Sequence, residues 1–238
     1  VYGDLRLTKV DKDYPDNKLT GAEFEVYRDT NGNKELDEGD ELLGKMEETS
    51  TGIYEMAHIL YGGVFVKETK APEGFVLDTG VYEVMIDTNG KTYEVENKAG
   101  VGFINDAMRG NLKIVKTSSD GKVKGFAFRI TGANGYDIIL ETNDKGEIFI
   151  DGLRIGNYTI SEVSNSASSM YVIPADKKAT VKLGSTTIVE MHNVLRDTPK
   201  TGDTTNLPLL YTLAGLSAVG IAVCGVIGFK KKKKEDRN

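Results

Sequence analysis

The chain has one cysteine, Cys224, no tryptophan, five prolines and two histidines among 238 residues. A single thiol cannot form an internal disulfide, so covalent stiffening of the fold must come from other side chains. His58 and His192 fit no metal-ligand spacing, no Cys–His pair exists outside an apolar segment, and no glycine-rich phosphate loop is present. An enzyme is therefore not expected. Positive charge is also scarce: 30 Lys and Arg stand against 36 Asp and Glu, for a net charge of −6, and the one basic cluster is Lys230 to Lys234 at the far end. An acidic body without a basic face excludes nucleic acid as a partner, because phosphate neutralisation needs clustered Lys and Arg. Glycine is plentiful, at 27 residues. With 39% hydrophobic and 28% charged residues, this composition points to a turn-rich, all-β globular body.

The C-terminal end carries a separate signal. Residues 207–229 contain no charged residue, enough to cross a bilayer as a helix. Lys230 to Lys234 follow directly, and such a block stays on the cytoplasmic side, which leaves everything before Leu207 outside. Upstream lies Thr198-Pro199-Lys200-Thr201-Gly202. Proline biases the residue before it toward extended backbone, which suits presentation to an enzyme cleft. The order of pentapeptide, polar spacer, apolar span and basic end resembles the sorting signal of sortase substrates. That resemblance implies cleavage between Thr201 and Gly202 and transfer of the Thr201 acyl group to a peptidoglycan amine, with the membrane holding the chain until then. Thr198 stands where the commonest form has Leu, which leaves the sortase class open. The competing reading is a plain membrane anchor preceded by a polar linker.

The body contains one pattern twice. Gly3-Asp4-Leu5-Arg6-Leu7-Thr8-Lys9 aligns with Gly110-Asn111-Leu112-Lys113-Ile114-Val115-Lys116, and Gly62-Gly63-Val64-Phe65-Val66-Lys67-Glu68 with Gly156-Asn157-Tyr158-Thr159-Ile160-Ser161-Glu162. Phe103-Ile104-Asn105 and Met191-His192-Asn193 close the two units. The repeat is a duplicated domain, and its period-two segments bounded by Gly, Asp and Asn predict half-buried antiparallel strands in two β-sandwiches. The expected divisions are 1–108 and 109–196 for the sandwiches, 197–206 for the sorting motif and linker, 207–229 for the transmembrane helix and 230–238 for a cytoplasmic tail.

Residues i, i+2 and i+4 of a strand share a face. Lys9 thus shares a face with Leu5 and Leu7, and Lys116 with Leu112 and Ile114. Glu68 follows Val64 and Val66, and Glu162 follows Tyr158 and Ile160. Asn105 is grouped with Val101 and Phe103, and Asn193 with Val189 and Met191. One Lys, one Glu and one Asn per domain are aimed at an apolar core. Burial drives the Lys pKa down and the Glu pKa up. A neutral amine beside a carboxamide, with a protonated Glu to shuttle protons, has the parts for a Lys–Asn isopeptide bond. The alternative is that both lysines are solvated at strand ends and the asparagines terminate strands.

The Leu-x-Lys opening, the inner Glu within Lys67-Glu68-Thr69-Lys70-Ala71-Pro72-Glu73-Gly74-Phe75 and the closing Asn resemble the Cna B-type, or SpaA-like pilin, domains. The resemblance implies immunoglobulin-like sandwiches with intramolecular isopeptide bonds: Lys9 to Asn105 assisted by Glu68, and Lys116 to Asn193 assisted by Glu162. Val64 stands where the family usually has Tyr, and the second domain has Ser164-Asn165-Ser166 in place of the Ala-Pro-Glu-Gly-Phe segment. Asn97 is a competing acceptor in the first domain. The function implied is a cell-wall stalk at the cell surface, of adhesin or basal pilin type.

Two questions stay open at this level. Asp29, Asn31, Asn33, Asp37 and Asp40 have the spacing of an EF-hand-type calcium loop, yet Lys34 replaces its turn Gly and Asp40 its bidentate Glu, so an acidic hairpin loop is the equal alternative. No basic stretch followed by an apolar one opens the chain, so an export signal is expected upstream, together with any enzyme or host-ligand-binding head. A polymerising pilus subunit is disfavoured because Tyr14-Pro15 is followed by Asp16 rather than lysine.

Overall fold

The alternating segments fold as strands, and the alternation decides what they bury. In Tyr2–Asp11 (β1), Leu5, Leu7 and Lys9 are all turned inward, while Asp4, Arg6 and Thr8 are only half-buried. A computed structural model describes residues 1–197. After β1 come β2 (Glu23–Arg28), β3 (Glu41–Lys45), β4 (Glu47–Ser50), β5 (Ile53–Leu60), β6 (Gly62–Lys70), β7 (Val81–Ile86), β8 (Thr92–Glu94) and β9 (Phe103–Asn105). The second repeat supplies β10 (Arg109–Ser118), β11 (Ala127–Thr131), β12 (Asp137–Glu141), β13 (Glu147–Arg154), β14 (Gly156–Val163), β15 (Tyr171–Val172), β16 (Lys177–Val181) and β17 (Thr186–Leu195). Among the described residues the helical content is one 3-10 turn at Ala133–Gly135, and no helix is long and apolar enough to cross a membrane. The expected sorting motif and the span over 207–229 lie outside the described residues.

Each repeat stacks two sheets. In the first, the order β4-β5-β1-β8, with β9 also on β1, faces β3-β2-β6-β7; in the second, β13-β10-β17-β15 faces β12-β11-β14-β16. The inner faces enclose separate cores. One is built on Leu5, Leu7, Phe24, Val26, Val66 and Phe103, with Phe24 edge-on to Phe103 at 5.0 Å between ring centroids. The other is built on Leu112, Ile114, Phe128, Ile130, Ile160 and Met191. Truncating a fully buried Phe such as Phe24 or Phe103 costs about 3–5 kcal/mol.

The sequence expectation of antiparallel strands throughout needs one correction. The first and last strands of each sandwich run parallel: β1 pairs with β8 and β9, and β10 with β17, where Lys116 lies opposite Met191 and Ser118 opposite Asn193. The connections between them carry the chain to the other sheet and back, so the last strand returns beside the first in the same direction. Both first strands bulge just after the repeated glycine, between Gly3 and Leu5 and between Gly110 and Leu112. At Gly110 a Cβ would fall 2.0 Å from the Lys182 carbonyl oxygen, so backbone passes where a side chain has no room. Val101 departs from its expected place: it is exposed in a turn before β9 and does not share the inward face of Phe103 and Asn105.

Residues 106–108 between β9 and β10 are held from both sides. The Val76 N–H donates to the Asp106 carbonyl and the Met108 N–H to the Gly74 carbonyl, each at 2.8 Å, and the Ile155 N–H donates to the Met108 carbonyl at 3.0 Å. An ionic clamp adds to these bonds. The Arg154 guanidinium donates twice to Asp11, at 2.6 Å each, and once to Asp13 at 2.5 Å, and lies over the Tyr14 ring at 4.9 Å. Arg109 also binds Asp13. Burial alone would raise the Asp11 pKa, but the Arg154 hydrogen bonds and the Asp13 and Tyr14 N–H groups outweigh it and hold the carboxyl below its usual 3.8. A depressed folded pKa stabilises above the unfolded value and is lost as pH falls through the folded one, so the clamp holds above about pH 4 and weakens in stronger acid. Arg154→Ala, which strands the buried Asp11 carboxylate, is expected to cost about 2 kcal/mol at the joint, read as roughly 30-fold faster amide hydrogen exchange at Met108 and Ile155. Unchanged exchange would remove the clamp from the account of this joint.

Candidate functional site

In the first sandwich Lys9 and Glu68 are fully buried and Asn105 is 3% exposed. Lys9 comes from β1, Glu68 from β6 in the opposite sheet and Asn105 from β9, so three separate strands deliver three polar groups into one apolar interior. The Lys9 Nζ donates to the Phe103 carbonyl at 3.0 Å, lies 3.9 Å from Glu68 Oε1 and sits 5.3 Å from the Phe103 ring centre. The Asn105 Nδ2 donates to Glu68 Oε1 and Oε2, at 3.1 and 2.8 Å, and to the Val76 carbonyl at 2.8 Å. Its Oδ1 is buried without a hydrogen-bond partner. Asp11, two residues beyond Lys9, lies opposite Asn105 in the parallel ladder, so lysine and asparagine are diagonal neighbours on adjacent strands.

The second sandwich repeats the arrangement on β10, β14 and β17. Lys116 is 1%, Glu162 7% and Asn193 0% exposed. Asn193 Nδ2 donates to Glu162 Oε1 at 2.6 Å, while Glu162 Oε2 and Asn193 Oδ1 have no partner. Lys116 Nζ donates to the Thr117 carbonyl at 2.5 Å and lies 4.2 Å from the Phe126 ring centre. Asn193 lies opposite Ser118, two positions from Lys116, so the diagonal offset is the same as in the first domain.

Burial sets the protonation chemistry. Desolvation pulls the Lys9 amine down from 10.5 to about 8, with Glu68, Asp78 and Asp11 pulling it partly back up. Glu68 is pushed up by burial against the opposing hydrogen bonds from the Asp78 N–H and Asn105 and the charge of Lys9. Lys116 is lowered and Glu162 raised for the same leading reason. Each site therefore favours a neutral amine and a protonated carboxyl more than water would.

Sequence reasoning missed the segment after Glu68. Val76 and Asp78 reach back into the site, the Asp78 N–H donating to Glu68 Oε2 at 2.7 Å. An open pocket of 350 Å³ bordered by Val76, Asp78, Asn97 and Asn105 lies outside it. No periodicity marks this loop, which is why the alternation rule could not find it. Asn97 does not face Glu68. Its carboxamide binds the Ile104 backbone and the Asp78 carboxylate, and the carboxamide facing Glu68 is that of Asn105.

Asp29, Asn31, Asn33, Asp37 and Asp40 gather on the exposed loop between β2 and β3. Asp37 Oδ2 accepts from the Asn31 and Asn33 side chains at 3.0 and 2.8 Å, Asp29 from the Gly32 and Lys34 N–H groups, and Asp40 from those of Thr30 and Asp37. Lys34, at the position of the EF-hand turn glycine, takes φ 65°. Among the described residues no group of three or more His, Cys, Asp and Glu side chains is set to hold a metal ion. Both histidines are exposed, and His192 Nδ1 lies 2.8 Å from the Thr117 hydroxyl.

A family model described as SpaA: Prealbumin-like fold domain matches residues 3–99 and again 110–194. The chain belongs to this family. Its two SpaA prealbumin-like domains each contain one Lys–Glu–Asn cluster. Among solved structures, the chain is similar to the Bacillus anthracis TIE protein, at 26% identity and a TM-score of 0.61 over 81% of this chain, and it spans about a third, 34%, of that protein. It is also similar to GBS52, the minor pilin of Streptococcus agalactiae, at 18% identity and TM-score 0.38 over 83% of this chain and 98% of that one. A third similarity is to the pilus adhesin SpaC from Lactobacillus rhamnosus GG, at 13% identity and TM-score 0.48 over 82% and 31%. No curated protein sequence matches the chain.

The buried amine gives a test of the site's electrostatics. With a folded Lys9 pKa near 8 and an unfolded value of 10.5, the folded chain binds fewer protons across that interval, so its stability rises with pH there by at most about 1.4 kcal/mol per unit. Asn105→Ala keeps Lys9 and Glu68 and removes the carboxamide beside them, so denaturant titrations of this variant from pH 7 to 10.5 should show that rise. A flat profile would mean that Lys9 is solvated.

Proposed function

We propose that the chain is the wall-proximal stalk of a Gram-positive surface protein, of adhesin or basal pilin type. Each SpaA-type domain closes itself with a Lys–Asn isopeptide bond, and the C-terminal signal hands the chain to a sortase. The observation that carries this reading is the recurrence of one buried Lys–Glu–Asn cluster with the same two-residue diagonal in both domains. A lone buried lysine has many explanations; two at equivalent positions beside a carboxyl and a carboxamide have a common chemistry.

The neutral Lys9 amine attacks Asn105 Cγ. The tetrahedral intermediate collapses with loss of Nδ2 as ammonia, which takes a proton from the Glu68 carboxyl already bonded to it, and the carboxylate recovers one from the attacking nitrogen. One amide bond forms, one breaks, and ammonia leaves. The same steps join Lys116 to Asn193 through Glu162. No cofactor takes part, and the event is maturation rather than turnover.

The parallel pairing of first and last strands gives the bond its mechanical meaning. Tension entering β1 passes to Lys9, crosses to Asn105 and leaves through β9, so residues 10–104 are bypassed, and residues 117–192 likewise in the second domain. Each bond closes a loop of about 80 to 100 residues, for which a comparable disulfide would contribute roughly 4 kcal/mol on chain-entropy grounds. Unlike a disulfide, it resists reduction.

The sorting reading rests on Thr198 to Gly202 followed by the apolar run and the lysine block. It places the chain in the membrane before cleavage and on peptidoglycan afterwards, and leaves ligand binding to upstream sequence. Before sorting, the folded chain should weigh about 34 Da less than its sequence, two ammonia molecules at about 17 Da each, and Lys9→Ala should halve the deficit. A full-weight chain would end the cross-linking reading. Thr201→Ala should leave the protein extractable by detergent; a variant still bound to peptidoglycan would end the sorting reading.

A further inference from the structure

The two acceptor asparagines are held in different ways. Asn193 ends a pairing that runs unbroken from Asn111–Thr186 to Ser118–Asn193, so a continuous ladder fixes its register. Asn105 lies on a three-residue strand. In the first domain the ladder is split: β8 pairs with Asp4 to Arg6, residues 95–102 bear no strand, and β9 then pairs with Lys9 to Asp11. A one-residue slip of so short a strand would turn Asn105 out of the core, since side chains alternate faces. Something other than the ladder has to prevent it.

Asn97 occupies the position to do so. Its Oδ1 accepts from the Ile104 N–H at 2.6 Å and its Nδ2 donates to the Ile104 carbonyl at 2.8 Å, gripping both backbone groups as an adjacent strand would. The same Nδ2 donates to Asp78 Oδ2 at 2.6 Å, an oxygen that also accepts from the Tyr82 hydroxyl at 2.6 Å. Asp78 Oδ1 is tied to the Gly80 N–H at 2.7 Å, and the Asp78 N–H donates to Glu68 Oε2. The chain of bonds therefore runs from the carboxyl that protonates the leaving nitrogen, through Asp78 and Asn97, to the residue next to the acceptor. Tyr82 meanwhile packs edge-on against Phe103, the residue on the other side of Ile104, at 5.1 Å.

We propose that Asp78 and Asn97 are positioning residues that set the register of β9 and the orientation of Glu68, so that the Asn105 carboxamide meets the Lys9 amine. The proposal rests on the cross-linking reading. It assigns to the first domain a device that the second, with its continuous last strand, does without.

The second domain serves as an internal control. The full chain is synthesised in a cell-free system, and the loss of ammonia from each domain is followed by mass spectrometry of its proteolytic fragments over time. Asn97→Ala is expected to slow the loss in the first domain about 10- to 100-fold, as a misplacement of about an ångström does, while the second domain matures at its normal rate. Asn97→Asp, which sets two carboxylates against each other, should be as slow. Asp78→Ala keeps the backbone N–H on Glu68 but removes the acceptor that orients the Asn97 carboxamide, and should also slow the first domain while the second keeps its rate. If Asn97→Ala or Asp78→Ala matures both domains at the wild-type rate, the proposal is overturned while the cross-linking reading stands. If the wild-type chain loses no ammonia from either domain, the cross-linking reading is overturned and this proposal with it.

Discussion

The structure depends on the pairing of first and last strands in each sandwich. Parallel neighbours bring the two ends of a long loop together on one sheet, and the two-residue diagonal sets a lysine and an asparagine against each other on its inner face. A glutamate from the opposite sheet closes the group. Without that pairing the three polar side chains would be a desolvation cost with no return.

The cost is distributed differently in the two domains. Around Glu68 both carboxylate oxygens have a partner, since Asn105 Nδ2 reaches each and the Asp78 N–H adds to Oε2, whereas Glu162 Oε2 has none. In both clusters the asparagine Oδ1 is buried and unpartnered. Such atoms are uncommon in native interiors and mark where a fold keeps a strained or reactive arrangement. Here they fall on the carbonyl that would carry the charge of a tetrahedral intermediate. The same neighbourhood anchors the joint: Asp11, opposite Asn105, is the main ligand of Arg154, and the loop carrying Val76 and Asp78 also hydrogen-bonds residues 106 and 108. The loop from Gly74 to Asp78 thus serves both the site and the joint.

Alternation made the inward-facing residues legible. Leu5, Leu7 and Lys9, or Tyr158, Ile160 and Glu162, can be assigned to a face from period two alone, and all six are buried. Val101 shows where the rule stops. Period two groups it with Phe103 if the strand continues, whereas Gly102, at φ 124°, breaks the extended run and leaves Val101 in solvent. The parallel direction of the last strand was equally hidden, because a single strand has the same alternation whichever way its neighbour runs. Asn97 looked like an acceptor by residue type and distance along the chain, and only the fold shows it bonded to Ile104 and Asp78.

By itself the sequence determined that there are two copies of one all-β domain, that each aims a lysine, a glutamate and an asparagine at its core, and that disulfides cannot stiffen either. These are local or compositional properties, fixed by residue type and by the geometry of an extended chain. The tertiary structure alone decided that the lysine-bearing and asparagine-bearing strands are parallel neighbours, that Glu68 and Glu162 lie against the Asn105 and Asn193 carboxamide nitrogens, and that Asp78 and Asn97 hydrogen-bond beside the first cluster and Arg154 at the joint. Those contacts join residues tens of positions apart, and no pattern within a strand records which distant segment will be laid beside it.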